Sequence, residues 1–190
     1  PFFFLALAFA PLRADDFVVD PGITVTPAMT PGLMKHPVMA ALDDRGRLFV
    51  SENAGVNLDK EGLLRERPGS IRMLEDTDGD GVFDKSTLFA DKLTFPQGAL
   101  WVYDSLYVMS PPSLWRFADE DGDGHAEVQE ELATGFDFTG NAADVHGPFL
   151  HPNGRLYWAH GRKGFAVPDN DTGEIVATGK SARIWSSQLS

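Results

Sequence analysis

Residues 38–52 read VMAALDDRGRLFVSE, residues 96–110 read PQGALWVYDSLYVMS and residues 146–160 read HGPFLHPNGRLYWAH. The three stretches align without gaps. Leu42, Leu100 and Leu150 coincide, as do Leu48-Phe49-Val50, Leu106-Tyr107-Val108 and Leu156-Tyr157-Trp158. Each stretch reads as strand, tight polar turn, strand, with the turn at Asp44-Arg45-Gly46 in the first and Pro152-Asn153-Gly154 in the third. Aromatic and β-branched residues around Gly and Asn turns favour hairpins over helices.

A third strand follows each hairpin: Ser70–Leu74, Ser113–Phe117 and Ser181–Trp185 align in the same way. The first two run through Asp-rich turns into further apolar runs, Ser86–Phe89 and Val128–Leu132. Four strands per unit, repeating every 58 and then 50 residues, are the signature of propeller blades. No long period-3.6 pattern is present, which excludes helical solenoids. The expected fold is all-β, a β-propeller of which the first two to three blades are present. Blade 1 spans about 38–95, blade 2 about 96–145, and a partial blade 3 starts at 146 within a propeller domain covering 15–190. A β-sandwich is the alternative, although sandwiches do not usually repeat hairpins in register.

The composition fits a globular domain: 190 residues, 43% hydrophobic and 23% charged, with 14 Phe, 4 Trp and 3 Tyr, too aromatic for a disordered chain. Sixteen Lys+Arg against 28 Asp+Glu give a net charge of −12, which excludes nucleic acid as a partner because phosphates would be repelled. With no Cys, disulfides, thiolate zinc sites, cysteine nucleophiles and covalent haem attachment are excluded within this stretch. Phe2–Ala10 (FFFLALAFA) is an apolar run of signal-peptide length, too short to span a bilayer. The expectation is a signal peptide over residues 1–14 and an exported protein, periplasmic or extracellular, with membrane association left open. A buried N-terminal strand is the other reading of the same run.

Two acidic loops lie 43 residues apart. The first carries Asp76, Asp78, Asp80 and Asp84, and the second carries Asp119, Asp121 and Asp123 followed by Gly124 and, at the twelfth position, Glu130. The second fulfils the residue pattern of an EF-hand loop, although its flanks read as strands. Alternating carboxylates converge when the loop curls, and Gly permits the sharp turn, so Ca²⁺ in a structural role is expected. Asx turns with solvated carboxylates are the plainer alternative.

Propeller ligands gather at the channel, where the innermost strands begin: at His36-Pro37, Phe95-Pro96 and Val145-His146. The last is the richest in chemistry. His146, with Asp144 two residues away, is the candidate general base, its imidazole oriented by the carboxylate. A His that simply bonds a neighbouring blade is the alternative. His160, with Gly161-Arg162-Lys163-Gly164, forms a local cationic stretch that could receive an anion.

Four stretches, HPVMAALDDRGRLFVSEN (36–53), GSIRMLEDTDGDGVFDKSTLFAD (69–91), LTFPQGALWVYDSLYV (93–108) and DVHGPFLHPNGRLYWAHGRKG (144–164), together resemble the N-terminal part of the membrane-bound dehydrogenase-type proteins of planctomycetes and verrucomicrobia. Those are similar to soluble glucose and sorbosone dehydrogenases that depend on pyrroloquinoline quinone (PQQ) and fold as six-bladed propellers. The resemblance implies PQQ as cofactor and a sugar or alcohol as substrate. His146 then takes the hydroxyl proton while hydride passes to the quinone. It also implies an electron acceptor such as a c-type haem domain, which would lie outside this Cys-free chain. No quinone-binding residue carries over to this sequence, and the competing class is a non-catalytic, calcium-stapled propeller that binds polysaccharide or protein.

Overall fold

The computed structural model describes residues 18–161 and 163–189. The signal-peptide expectation for residues 1–14 and the side chain of Arg162 lie outside them. The aligned hairpins are present, and their strands join in chain order. Strands β1 (Pro37–Leu42), β2 (Leu48–Glu52), β3 (Gly69–Glu75) and β4 (Lys85–Leu93) form one antiparallel sheet, β1-β2-β3-β4. Strands β5 (Gly98–Val102), β6 (Ser105–Ser110), β7 (Ser113–Ala118) and β8 (Val128–Ala133) form the next. The third sheet has β9 (Val145–Leu150) and β10 (Arg155–His160), then β13 (Arg183–Gln188) on the outside of β10. Between β10 and β13 stands a separate hairpin, β11 (Phe165–Pro168) with β12 (Ile175–Gly179).

The first strand of each sheet is innermost, and β5 packs against both β1 and β9. The approach is close enough that a Cβ on Gly98 would strike the Gly147 carbonyl. Sequential four-stranded meanders set side by side along their first strands are propeller blades, not the two facing sheets of a sandwich. The described residues form three successive blades and no closed ring.

Two registers differ from the gap-free alignment. Blade 1 turns through 43–47, pairing Leu42 with Leu48, whereas blade 2 turns in two residues, Tyr103 and Asp104, both left-handed at φ 51° and 52°. That tight turn pairs Leu100 with Tyr107 and moves β5 by one residue. The second difference is in β13. Arg72 lies opposite Val50 and Trp115 opposite Val108, but Trp158 lies opposite Trp185 rather than Arg183. The shift is two residues, so the buried face survives and composition alone does not reveal it.

The core lies between blades. Phe49, Ile71, Phe89, Leu106, Val108 and Phe117 fill the space between blades 1 and 2, where Phe49 meets Phe89 edge-on at 4.7 Å and stacks on Trp101 at 4.9 Å. Met109, Leu114, Phe136, Val145, Leu156 and Trp158 fill the space between blades 2 and 3. Each fully buried large side chain contributes roughly 2–3 kcal/mol, so stability rests on neighbouring blades.

The sequence pattern did not reveal helix α1 (Lys60–Glu66), seven residues inserted between β2 and β3. Asp59 caps it by accepting from Gly62 N–H at 2.8 Å, and Arg67 ends it at φ 45°. Among the described residues no helix is long and apolar enough to cross a membrane.

Candidate functional site

In antiparallel blades the connections alternate between two faces. One, the histidine face, carries His36, α1, residues 134–144 and the β11–β12 hairpin; the other carries the turns at 43–47, 103–104 and 151–154 and both acidic loops. His146 and the acidic loops are therefore on opposite faces. A cation held by those loops would stand away from any chemistry at His146.

His146 lies near the start of β9, exposed and opposite Ala159, on the side of blade 3 turned away from blade 2. Among the described residues its imidazole has no hydrogen-bond partner. Asp144 does not orient it. That carboxylate is buried, at 1% exposure, and accepts from the N–H groups of Thr139, Gly140 and Asn141 at 2.8–3.0 Å and from the Thr139 hydroxyl at 3.0 Å. It organises the turn leading into β9, and its four hydrogen bonds all go to residues 139–141 rather than to an imidazole.

His160 is no anion receptor either. It is 1% exposed, bonds the Asp137 carbonyl through Nε2 at 2.9 Å, and packs beside Phe136 and Phe165. A cation on this part of the face, Lys60, pairs with Asp137. The hydrogen bond from that ammonium is the main cause holding the Asp137 carboxyl below its usual range.

Sequence reasoning passed over a polar recess on the histidine face. A cavity of about 370 Å³ lies against blade 1, lined by Lys35, His36, Glu52, Asn53, Ser70 and Arg72. His36 packs against Gly55, where φ is +71° and a Cβ would clash with the imidazole Nε2. Glu52 accepts from Lys35 N–H at 2.5 Å and from Arg72 Nε at 2.9 Å. Burial pushes its carboxyl up, but those two hydrogen bonds and the guanidinium charge together outweigh burial and leave it lowered. The visible signal was Glu52-Asn53 at the end of β2, opposite Pro37.

A larger groove, about 860 Å³, runs between blades 2 and 3 past Tyr107, Arg116, Glu130 and Leu156. The same space between blades 1 and 2 is filled by the second acidic loop, whose Gly124 sits on Met73 and Thr87, the positions 43 residues before Arg116 and Glu130.

The two acidic loops are built alike. Asp76 accepts from Gly79 and Gly81 N–H at 2.7 and 2.9 Å, and Asp119 accepts from Gly122 and Gly124 at 2.7 and 3.0 Å. The Gly81 N–H is the chief cause lowering the Asp76 carboxyl. Oxygens of Asp76, Asp78 and Asp80 lie within 4.8 Å of one another, as do those of Asp119, Asp121, Asp123 and Glu127. The fourth carboxylate is thus Glu127, not Glu130. Glu130 stands on β8 and pairs with Arg116 at 3.2 Å. Asp84, the counterpart of Glu127 in the first loop, accepts from Thr77 N–H and hydroxyl at 3.0 and 2.7 Å and is outside its cluster.

Three solved structures are similar to this chain at low identity. They are a luciferin-regenerating enzyme (15% identity, TM-score 0.46, covering 75% of this chain and 45% of that one), an oxidoreductase described as a glucose dehydrogenase from Thermus thermophilus (17%, 0.47, 78% and 44%), and the PQQ-bound form of an aldose sugar dehydrogenase from Streptomyces coelicolor (17%, 0.44, 86% and 50%). This chain spans about half the length of the solved structures it matches. No curated protein matches it. A family model described as a domain of unknown function, DUF7133, matches residues 12–190, nearly the whole sequence, and the chain belongs to that family.

Proposed function

We propose that this chain is the N-terminal part of an exported, dehydrogenase-like propeller that oxidises a sugar or alcohol hydroxyl with PQQ as acceptor. The observation that carries the reading is His146. It is an imidazole without a hydrogen-bond partner among the described residues, held by the backbone of an innermost strand at the end where such a strand begins. In this reading His146 Nδ1 or Nε2 takes the proton of the substrate hydroxyl. The quinone, when bound, accepts the hydride.

The quinone's carboxylates call for cations. Of those on the described histidine face, Lys60 and Arg72 are already held by Asp137 and Glu52, whereas Lys35 and Lys163 make no ion pair among the described residues. This stretch therefore fits the quinone in part: it supplies the base and these two ammonium groups, and we assign the remaining carboxylate-binding cations to other parts of the protein. We further assign Ca²⁺ to the acidic loops, as a brace for the β3–β4 and β7–β8 connections. A haem domain, if one serves as electron acceptor, belongs to a part of the protein beyond this chain.

The test is His146→Ala in the full-length protein. Turnover is expected to fall by about 10² or more with quinone binding retained. Unchanged turnover removes His146 from the mechanism. The second reading, a non-catalytic propeller that binds polysaccharide or protein, is favoured by the commitment of Asp144 to its turn, which leaves His146 without an orienting carboxylate.

A further inference from the structure

The blades of this protein are tied by one repeated contact. The outer strand of each four-stranded blade carries a one-residue bulge, at Phe89 in β4 and at Leu132 in β8, positions 43 residues apart. A bulged residue leaves its own ladder, and here its carbonyl turns to the following blade. Phe89 O accepts from Ala126 N–H at 2.9 Å, and Leu132 O accepts from Asn170 Nδ2 at 2.9 Å. Ala126 sits at the end of the acidic loop of blade 2. Its counterpart 43 residues earlier is Phe83, in the acidic loop of blade 1. Phe83 makes the same reach away from its own blade: its N–H bonds Ala28 O at 2.9 Å, and its carbonyl accepts from Thr30 N–H at 2.8 Å. Residues 28–30 therefore stand to blade 1 as β4 stands to blade 2.

These residues behave as a strand that has no sheet. Met29 bridges Phe83 in parallel and packs with Met34, Val50 and Leu74. With Ala28 O and Thr30 N–H directed at Phe83, the N–H and C=O of Met29 face the opposite edge, where they have no partner among the described residues. On the same face of blade 1, beside Leu48 and Val50, Leu42 is left 60% exposed. It is an apolar side chain where another blade would cover it.

We propose that Ala28–Thr30 is the outer strand of a further blade supplied by this protein's own chain, its Met29 edge pairing with that blade's third strand so that a ring closes on blade 1. The proposal rests on the reading of this chain as the first blades of a longer propeller, but not on the dehydrogenase chemistry.

The test is amide hydrogen exchange on the full-length protein, read at Met29 and Thr30. Thr30, bonded to Phe83, is the internal control. Met29 N–H is expected to exchange at least ~100-fold slower than an open chain, independent of protein concentration. Met29→Pro removes the outward donor, with φ fixed at about −65° in the extended range that an edge strand tolerates, and is expected to lower Tm by several degrees while Thr30 stays protected, whereas Met29→Leu melts with the parent. A Met29 amide that exchanges freely beside a protected Thr30, or a Pro variant that melts with the parent, overturns the proposal. Protection that rises with protein concentration gives the strand to a second copy and overturns it too. Dye reduction does not enter any of these readouts, so a failed dehydrogenase reading leaves the result intact.

Discussion

His146 and Asp144 are two residues apart in the sequence and have unrelated work in the fold. Asp144 is a buried acceptor for three backbone N–H groups, so Asp144→Ala should cost about 2–4 kcal/mol of stability, measured by denaturant unfolding, because those donors lose their acceptor inside the protein. With His146 as the proposed base, turnover should survive in any Asp144 variant that folds; turnover lost from a folded variant would restore the dyad that the geometry denies. Glu52 follows a different logic. Its carboxyl is held lower in the folded chain than in the unfolded one, so the unfolded state binds the proton more readily. Its stabilisation is complete above the ordinary glutamate range and is lost as pH falls through the depressed value. Glu52→Gln should therefore reduce stability at neutral pH and match the parent in acid, as pH-dependent unfolding would reveal.

At the scale of elements, the acidic loops make the sharpest prediction. Calorimetric titration with Ca²⁺ should find Glu127→Gln weakened about tenfold, roughly 1.4 kcal/mol, and Glu130→Gln unchanged. The reverse order would restore the EF-hand spacing. That spacing presumes a helix after the loop, which brings the twelfth residue back to the ion. Here β8 begins at Val128, and an extended strand carries Glu130 away at about 3.3 Å per residue. The hairpins were legible because alternation and turn residues agree at Leu42–Leu48 and Leu150–Leu156. The one-residue displacement of β5 was not, because it depends on Tyr103 and Asp104 taking left-handed conformations that their side chains do not announce. Helix α1 has seven residues, too few to set a 3.6 period apart from chance, and only Asp59 at its cap marked it.

For the molecule as a whole, burial follows from the neighbours each blade has. Both sides of blade 2 are covered, whereas Leu42 on blade 1 and Phe149 and Ile184 on blade 3 are 60%, 60% and 78% exposed. Residues 15–190 produced alone should bind a hydrophobic dye and self-associate, and Leu42→Lys with Ile184→Lys should suppress both; a dye-silent monomer would mean that these faces need no cover. The propeller was readable from repetition, and the placement of His146 and the acidic loops on opposite faces follows from strand order once the sheets are known.

The proposed function of these blades is a quinone-dependent oxidation. It is tested most directly by titrating the full-length, metal-stripped protein with PQQ, with and without Ca²⁺, and then assaying dye reduction over sugars and alcohols. Saturable binding is expected, with turnover that His146→Ala abolishes. Absence of binding at tens of micromolar PQQ (about −6 kcal/mol or weaker) would rule that reading out and leave a propeller scaffold whose ligands should be sought among glycans.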